Sequence, residues 1–372
     1  MRIFSRQFYG QNHSWAVVGK NIARELIKLG HEVHLFSTDG IKNIPDDLKD
    51  CIVGYMDKSN KKPVIIKKNY NHYDMQYSYT AMRNFGPYLS LGKKNRFGIY
   101  NYDGTVLPPG WNRYYRHVDK LLPSSTFSKN VFIENKVPEN KLKTIPHGVN
   151  QEDFNIEERF KFKTNKTIKI LNVCGQVHRR KNILGMLSAY GKAFSKNDDV
   201  CFILKVADKK PNYKFELSFK DLFSKWVKDN PNHPEVEIIY EYVPKIEPLF
   251  MSCDIHFSMS NIECFHIPSL QSITAKKITI QSAWGGHTDF LNENNSLLID
   301  GKVGRCPSNY QYWHSSSNSL MFEPYIDDAV DKLRYAVNNY NGLIEKFKPN
   351  MISTTDKFSW KNAVEQMITL AT

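Results

Sequence analysis

Two groups of side chains in this 372-residue chain have the types and settings for chemistry on a charged ligand. Glu263 follows a short alternating apolar run (Ile255, Phe257, Met259) and a break at Ser260-Asn261-Ile262. It precedes Ile267-Pro268-Ser269-Leu270, where Pro stands at an early helical position that tolerates it. This carboxylate therefore belongs in a turn between a strand's carboxyl end and a helix N-terminus. Free backbone N–H groups at such an end favour anions, a nucleoside diphosphate among them. A second turn of this kind follows the apolar run Ile168-Lys169-Ile170-Leu171-Asn172-Val173-Cys174 and carries Arg179, Arg180 and Lys181. Cations are mildly unfavourable at a helix start, so three of them there suit a departing diphosphate, whose developing charge they neutralise. Asp103, in the polar loop Tyr102-Asp103-Gly104-Thr105, reads by itself as a turn former.

Positioning these groups requires strands that alternate with helices, an α/β chain with parallel sheets. Ile3-Phe4 is a first strand, and Ser14 caps a helix with Trp15, Val18, Ile22, Leu26 and Leu29 on one face. Gly30 ends it, and residues 31–36 form the next strand. Further strands are predicted at 97–100, 118–122, 200–204, 236–240 and 277–280. Helices are predicted after Asn182, near 214–228 and from Asp327. Residues 155–166, polar and without periodicity, read as the interdomain linker, and residues 301–320, rich in Ser, Asn, Tyr and Gly, as one long loop. The division is a first domain over 1–155, a second over 156–354, and a terminal helix over 355–372.

The net charge of +13 calls for an anionic partner: nucleic acid, phosphorylated glycan or membrane surface. Residues 57–96 hold nine Lys or Arg (58, 61, 62, 67, 68, 83, 93, 94, 96) against Asp57 and Asp74, more than half of that surplus. Tyr70, Tyr73, Tyr77 and Tyr79 are interleaved with them. The stretch reads either as an acceptor groove for a polyanion with aromatics for stacking, or as a solvated lysine-rich edge over buried tyrosines. Six cysteines without a C-x-x-C pair, an N-terminus without a signal-peptide core and no apolar run of spanning length point to a cytoplasmic protein with reduced thiols.

Several short motifs, in order, carry a resemblance to a family. Glu263, Phe265, Pro268 and Gly285-Gly286 fit the donor-site segment of GT4-like retaining glycosyltransferases of the GT-B fold. The Gly30-His31-Glu32-Val33 ending, the loop before Leu107-Pro108, Asp119 followed by Pro123-Ser124, and Ile145-Pro146-His147-Gly148-Val149 with Phe154 fit the first domain of such enzymes. The resemblance implies two Rossmann-like domains with a donor cleft between them, a terminal helix crossing back to the first, and retention at the anomeric carbon without an essential metal. It implies Glu263, Asp103 and Lys181 as catalytic residues. It implies a UDP- or GDP-sugar donor held by Gly10, Gln11, Gln176, Arg180, Lys181, Lys205, Val243, Phe265, His266, Ile267 and Gln271. Four positions depart from the family pattern. His266 replaces a Gly, Asn182 another Gly, Gln176 an Arg, and Gln271 the Glu that holds the ribose, where Gln loses the charge and adds donors. Arg179, Arg180 or Lys205 stands in for the lost cation.

Other chemistries lack their residues. There is no G-x-G-x-x-G, P-loop or G-x-S-x-G, and no Asp-x-Asp to hold a diphosphate through a metal. Cys253, His256, Cys264 and His266 invite a zinc site, but Cys253 and His256, three apart beside a strand, point to opposite faces. The reading is a glycosyltransferase acting on a hydroxyl acceptor that is polyanionic. DNA with hydroxymethylated bases, as in phage DNA modification, is slightly favoured, and peripheral membrane contact is an option. The alternatives are a transferase of bacterial surface polysaccharide or lipopolysaccharide, and a non-catalytic nucleic-acid-binding relative. As a loop carboxylate, Glu263 is expected to add little to stability.

Overall fold

The structure, a computed structural model, describes residues 1–10, 14–67, 72–91, 94–175, 179–206, 218–307 and 318–372. It divides into two compact units. Unit 1 comprises Met1–Tyr102, Val106–Gly148 and Phe358–Thr372, and unit 2 comprises Asp103–Thr105 and Val149–Lys357.

Among the described residues, the sheet of unit 1 has the order β4-β3-β2-β1-β5-β6-β7. Its strands are β1 (Arg2–Gln7), β2 (Glu32–Ser37), β3 (Ile52–Met56), β4 (Pro63–Ile65), β5 (Met75–Tyr79), β6 (Arg96–Ile99) and β7 (Lys120–Leu122). All neighbours are parallel except β3 and β4. The chain runs from β1 outward through β2 and β3, then returns to β5 on the other side of β1. The topological switch therefore lies between β1 and β5. The helix Ser14–Lys28 buries Val18, Ile22 and Leu26, the face the sequence marks as apolar. The helix Trp360–Ala371 packs against it, burying Trp360, Val364 and Met367. Gly148 admits this approach, since a Cβ there would collide with the backbone of Ser359 and Trp360.

Unit 2 is built on a fully parallel sheet of order β10-β9-β8-β11-β12-β13. Its strands are β8 (Ile168–Cys174), β9 (Val200–Val206), β10 (Glu235–Ile239), β11 (Ile255–Ser258), β12 (Ile278–Ser282) and β13 (Leu297–Ile299). Strands covered on both faces read as continuous apolar runs, which is why β8 and β9 stand out in the sequence. The helix Ile183–Ala193 crosses from β8 to β9, and its Tyr190 packs on Phe202 with ring centroids 5.2 Å apart. Here the switch falls between β8 and β11.

Of the two readings of the tyrosines in the lysine-rich stretch the buried one holds, and two other expectations need correction. Tyr73, Tyr77 and Tyr79 are buried in and beside β5, the strand between β1 and β6, so they offer no stacking surface. Tyr70 lies outside the described residues. Segment 155–166 is packed onto unit 2 instead of linking: Phe160 N donates to Ser252 Oγ (2.7 Å), and the Lys163 and Thr164 amides donate to the Glu237 carboxylate. Its polarity reflects an edge location, since Phe160 and Phe162 still cover the core of unit 2. The ends of the Ser/Asn-rich stretch pair as an antiparallel hairpin, β14 (Gly301–Arg305) with β15 (Leu320–Pro324). β14 is exposed or partly exposed throughout and consists of two glycines, two cations and one valine, so it holds no apolar pattern to read.

Candidate functional site

The two switch-point turns of unit 2 are stitched together. After β8, Arg179–Lys181 form a 3-10 turn, and Asn182 caps the next helix with φ 51° and ψ 43°, its side chain accepting from Gly185 N. Asn tolerates this left-handed conformation, so it replaces glycine at low cost. Asn182 also donates through Nδ2 to Met259 O (3.1 Å), Asn261 N donates to Arg180 O (2.7 Å), and Arg180 Nη1 donates to Ile262 O (3.2 Å). The carbonyl of Glu263 accepts from Gly286 N (2.7 Å). Gly285 beside it has φ 128°, and a Cβ there would stand 2.8 Å from that same oxygen, so a side chain is excluded.

This framework presents a four-membered charge cluster. Lys181 Nζ lies 2.5 Å from Glu263 Oε1, Arg180 Nη1 3.2 Å from Glu263 Oε2, and Arg180 Nη2 2.8 Å from Asp103 Oδ2. The Glu263 side chain is only 6% exposed, that of Arg180 15% and that of Lys181 17%. Burial by itself pushes the Glu263 carboxyl up, but the charges of Lys181 and Arg180 outweigh it and hold the group well below the usual carboxylate range. Glu263 is thus an ionised acceptor of hydrogen bonds. Its place in a loop does not make it marginal for stability, contrary to the sequence expectation. Removing it strands the mostly buried Lys181 and leaves Arg180 with Asp103 alone, a loss of about 3–5 kcal/mol for a broken buried pair.

Three buried histidines flank the carboxylate. His266 takes φ 67° at the start of the helix Ile267–Thr274, and its Nδ1 meets Ser269 Oγ at 2.7 Å. His256 and His287 lie 5.7 and 6.2 Å from its ring. His287 Nε2 stands 2.7 Å from Ser282 O, which only accepts, so that nitrogen carries the proton. Desolvation lowers the pKa of all three, that of His256 to about 3, so they are neutral near pH 7.

The other sequence-derived positions are distributed as follows. Phe265 is buried against Phe290 (5.1 Å), anchoring the turn. Ile267 opens the helix and Gln271 lies one turn on, both partly exposed. Lys205, near the end of β9, is half-buried with its pKa lowered by desolvation, and its Nζ reaches Val206 O (3.4 Å). Val243 packs on the core under β10. Gly10 belongs to unit 1, where its N–H and that of Tyr9 donate to the buried Asp39 carboxylate. Gln11 and Gln176 lie outside the described residues. Among the described residues, no three His, Cys, Asp or Glu side chains converge to hold a metal ion, and no helix is long and apolar enough to cross a membrane.

Sequence reasoning missed the contribution of the hairpin. Phe322 N donates to Asn261 O (2.9 Å) and Asn261 Nδ2 donates to Phe322 O (2.7 Å), a two-way bond that braces the Glu263 turn. Thr105 N donates to Ser319 Oγ (3.0 Å) and Leu320 N to Thr105 Oγ1 (2.7 Å), which holds the Asp103 segment in unit 2. The only sequence signal was the short apolar run Leu320-Met321-Phe322 at the end of the stretch read as loop.

The chain is similar along its whole length to solved glycosyltransferases. A glycosyltransferase from Rickettsia africae superposes with a TM-score of 0.70 at 16% identity, covering 100% of this chain and 98% of that one. Anabaena HepE, solved with UDP and glucose, gives 0.69 at 11% identity, with 100% and 99% covered. WaaG, a glycosyltransferase involved in lipopolysaccharide biosynthesis, gives 0.64 at 11% identity, with both chains fully covered. No protein-family model matches the sequence, and no curated protein matches it. The likeness establishes the fold, which is GT-B.

Proposed function

We propose that this protein is a glycosyltransferase that moves a sugar from a nucleoside-diphosphate sugar to a hydroxyl acceptor. The observation that carries the reading is one ionised, buried Glu263 gripped by Lys181 and Arg180 at the topological switch of unit 2. Ligands of open α/β sheets bind at that place. The GT-B fold supports it, as does the fact that HepE, one of the similar structures, was crystallised with UDP-glucose.

In this reading Lys181 and Arg180 take the diphosphate, and Glu263 accepts hydrogen bonds from sugar hydroxyls and stabilises the oxocarbenium-like transition state. The anomeric carbon–phosphate oxygen bond breaks while the acceptor oxygen–carbon bond forms on the same face, giving retention. The acceptor's proton passes to the departing phosphate oxygen, so products are the glycoside and the nucleoside diphosphate. Charge stabilisation comes from side chains, and activity is expected to survive EDTA.

The acceptor is a polyanion, drawn to unit 1 by the exposed Lys58, Lys61, Lys62, Lys67, Arg83 and Lys94. Arg96 serves structure instead, paired with Asp119 at 3.0 Å. Hydroxymethylated DNA is the acceptor this reading favours, and a phosphorylated surface glycan is the alternative. The experiment is a panel of UDP- and GDP-sugars with the purified chain, scoring hydrolysis alone and transfer to each acceptor. Release of a nucleoside diphosphate from one donor supports the proposal, and inertness toward the whole panel overturns it.

A further inference from the structure

Unit 1 carries a cation without a counter-ion among the described residues. Arg6, in the carboxyl-terminal half of β1, stacks its guanidinium on Phe36 (4.6 Å to the ring centroid) and on Tyr88 (4.4 Å). Its Nη2 finds only the Met56 thioether at 3.7 Å, and its buried Nε has no hydrogen-bond partner. No carboxylate among the described residues pairs with it, although the group is half-buried and desolvation lowers its pKa. A partly buried charge without a partner is costly, and folds normally supply one. The two rings pack against the guanidinium and restrict its plane, and the unpartnered Nε–H is left without an acceptor from the protein. A fixed, planar set of N–H donors matches an oxyanion with two oxygens.

The location supports a ligand. β1 borders the topological switch of the unit 1 sheet, and its carboxyl end is where open α/β sheets bind their ligands. Met56, which touches Arg6, leads directly into the exposed turn bearing Lys58, Lys61 and Lys62. Those lysines are point charges on flexible stems that attract any polyanion, whereas Arg6 has the geometry to recognise one group.

We propose that Arg6 is the core of a phosphate-binding subsite in unit 1 that grips one phosphate group of the acceptor. The acceptor part of this statement rests on the proposed transferase function, while the phosphate site itself does not.

The test is a titration of the full chain with inorganic phosphate at constant ionic strength and with UDP present. It is followed by the NMR signal of the Arg6 Nε–H, which is assigned by its loss in Arg6→Lys. Wild type should show a saturable shift with a dissociation constant on the order of 1 mM, the weak affinity of a single-group contact. Calorimetry should find binding weakened roughly 3–10-fold in Arg6→Lys, which keeps charge but loses the planar fork. Arg6→Gln should weaken it more than about 10-fold. The variant Lys58→Gln/Lys61→Gln/Lys62→Gln should keep the saturable Arg6 Nε–H shift and weaken phosphate binding less than Arg6→Lys does. If Arg6→Gln fails to fold, Arg6→Lys decides. An unshifted Nε–H signal, or equal phosphate binding by wild type and Arg6→Lys, overturns the site. UDP binding is read in the same samples. Its absence alongside an Arg6-dependent phosphate signal overturns the transferase reading and leaves this site standing.

Discussion

The two units place cations at equivalent points of their sheets and treat them in opposite ways. In unit 2, Arg180 and Lys181 follow β8, which borders the switch, and both are bound to acids: Glu263 takes one contact from each, and Asp103 takes the other end of Arg180. In unit 1, Arg6 on β1, which borders that switch, is bound to aromatic rings and a thioether. Asp39, the buried acid near the end of β1, is occupied by the amides of Tyr9 and Gly10 and by Ser37 Oγ. The same topology therefore yields one site whose charges are internally balanced and one whose charge awaits an external partner. A balanced cluster holds its geometry before the ligand arrives but must exchange contacts to admit it. An unbalanced cation needs rigid packing to persist, and the two rings supply it.

Substitutions that unbalance unit 2 should have the largest effects. Glu263→Ala is expected to lower turnover by orders of magnitude and to reduce unfolding free energy by about 3–5 kcal/mol, because buried Lys181 loses its partner and Arg180 keeps only Asp103. Denaturant unfolding combined with a transfer assay checks both parts. Equal stability would mean that the cluster is less dry than its burial indicates. Lys181→Ala removes one of Glu263's two cations and one leaving-group contact, and should slow transfer roughly 100- to 1000-fold.

Asp103→Asn sharpens the comparison by making Arg180 more like Arg6. Turnover should fall if Asp103 touches substrate, yet UDP should bind about 2–5-fold more tightly, since a partly exposed ion pair no longer competes for the guanidinium. Weaker UDP binding would show that Asp103 positions Arg180 instead of competing for it.

Acid should expose the buried histidines of both units. His147 in unit 1 and His256 in unit 2 are each pushed down to about 3 by burial. Their folded values lie below the ordinary value near 6.5, so the unfolded chain binds more protons between those limits. Stability contributed by keeping them neutral is complete above about pH 6.5 and is lost as pH falls toward 3, by up to about 1.4 kcal/mol per pH unit for each group. Glu263, also depressed, adds its own loss only below about pH 4.3. Melting curves from pH 7 to 4.5 should show the histidine part alone, and a flat profile there would contradict it. The smallest effect concerns the lysine edge. Replacing Lys61, Lys62, Lys67 and Lys68 with Gln should flatten the salt dependence of polyanion binding by up to about 0.9 for each phosphate no longer neutralised, with donor hydrolysis unchanged.

Much of the parallel core was legible because strands covered on both faces are continuous apolar runs, as at 168–174 and 200–206, and because Gly30 and Asn182 mark helix ends in their local conformations. Glu263 and Lys181 could be singled out for the same reason: each sits within a few residues of a strand end and a helix start. What stayed hidden depends on contacts between distant segments. β5 was masked because its Met75, Tyr77 and Tyr79 alternate within a lysine-rich stretch, where the charge obscures a fully buried strand. The pairing of Asn261 with Phe322 and of Thr105 with Ser319 joins residues 61 and 214 positions apart, and no local pattern announces it. Arg6 was invisible because the want of an acid partner is a property of three dimensions.

The Glu263–Lys181–Arg180 cluster is expected to take a nucleoside diphosphate. The most direct measurement is calorimetric titration of UDP and GDP into the 372-residue chain in EDTA, for wild type and Lys181→Ala, with unfolding curves to show that both are folded. One of the two nucleotides should bind wild type, and the variant should bind it at least about 10-fold more weakly, the loss of roughly one charge-assisted contact. Equal binding by both proteins, or no binding of either nucleotide to wild type, would contradict the assignment.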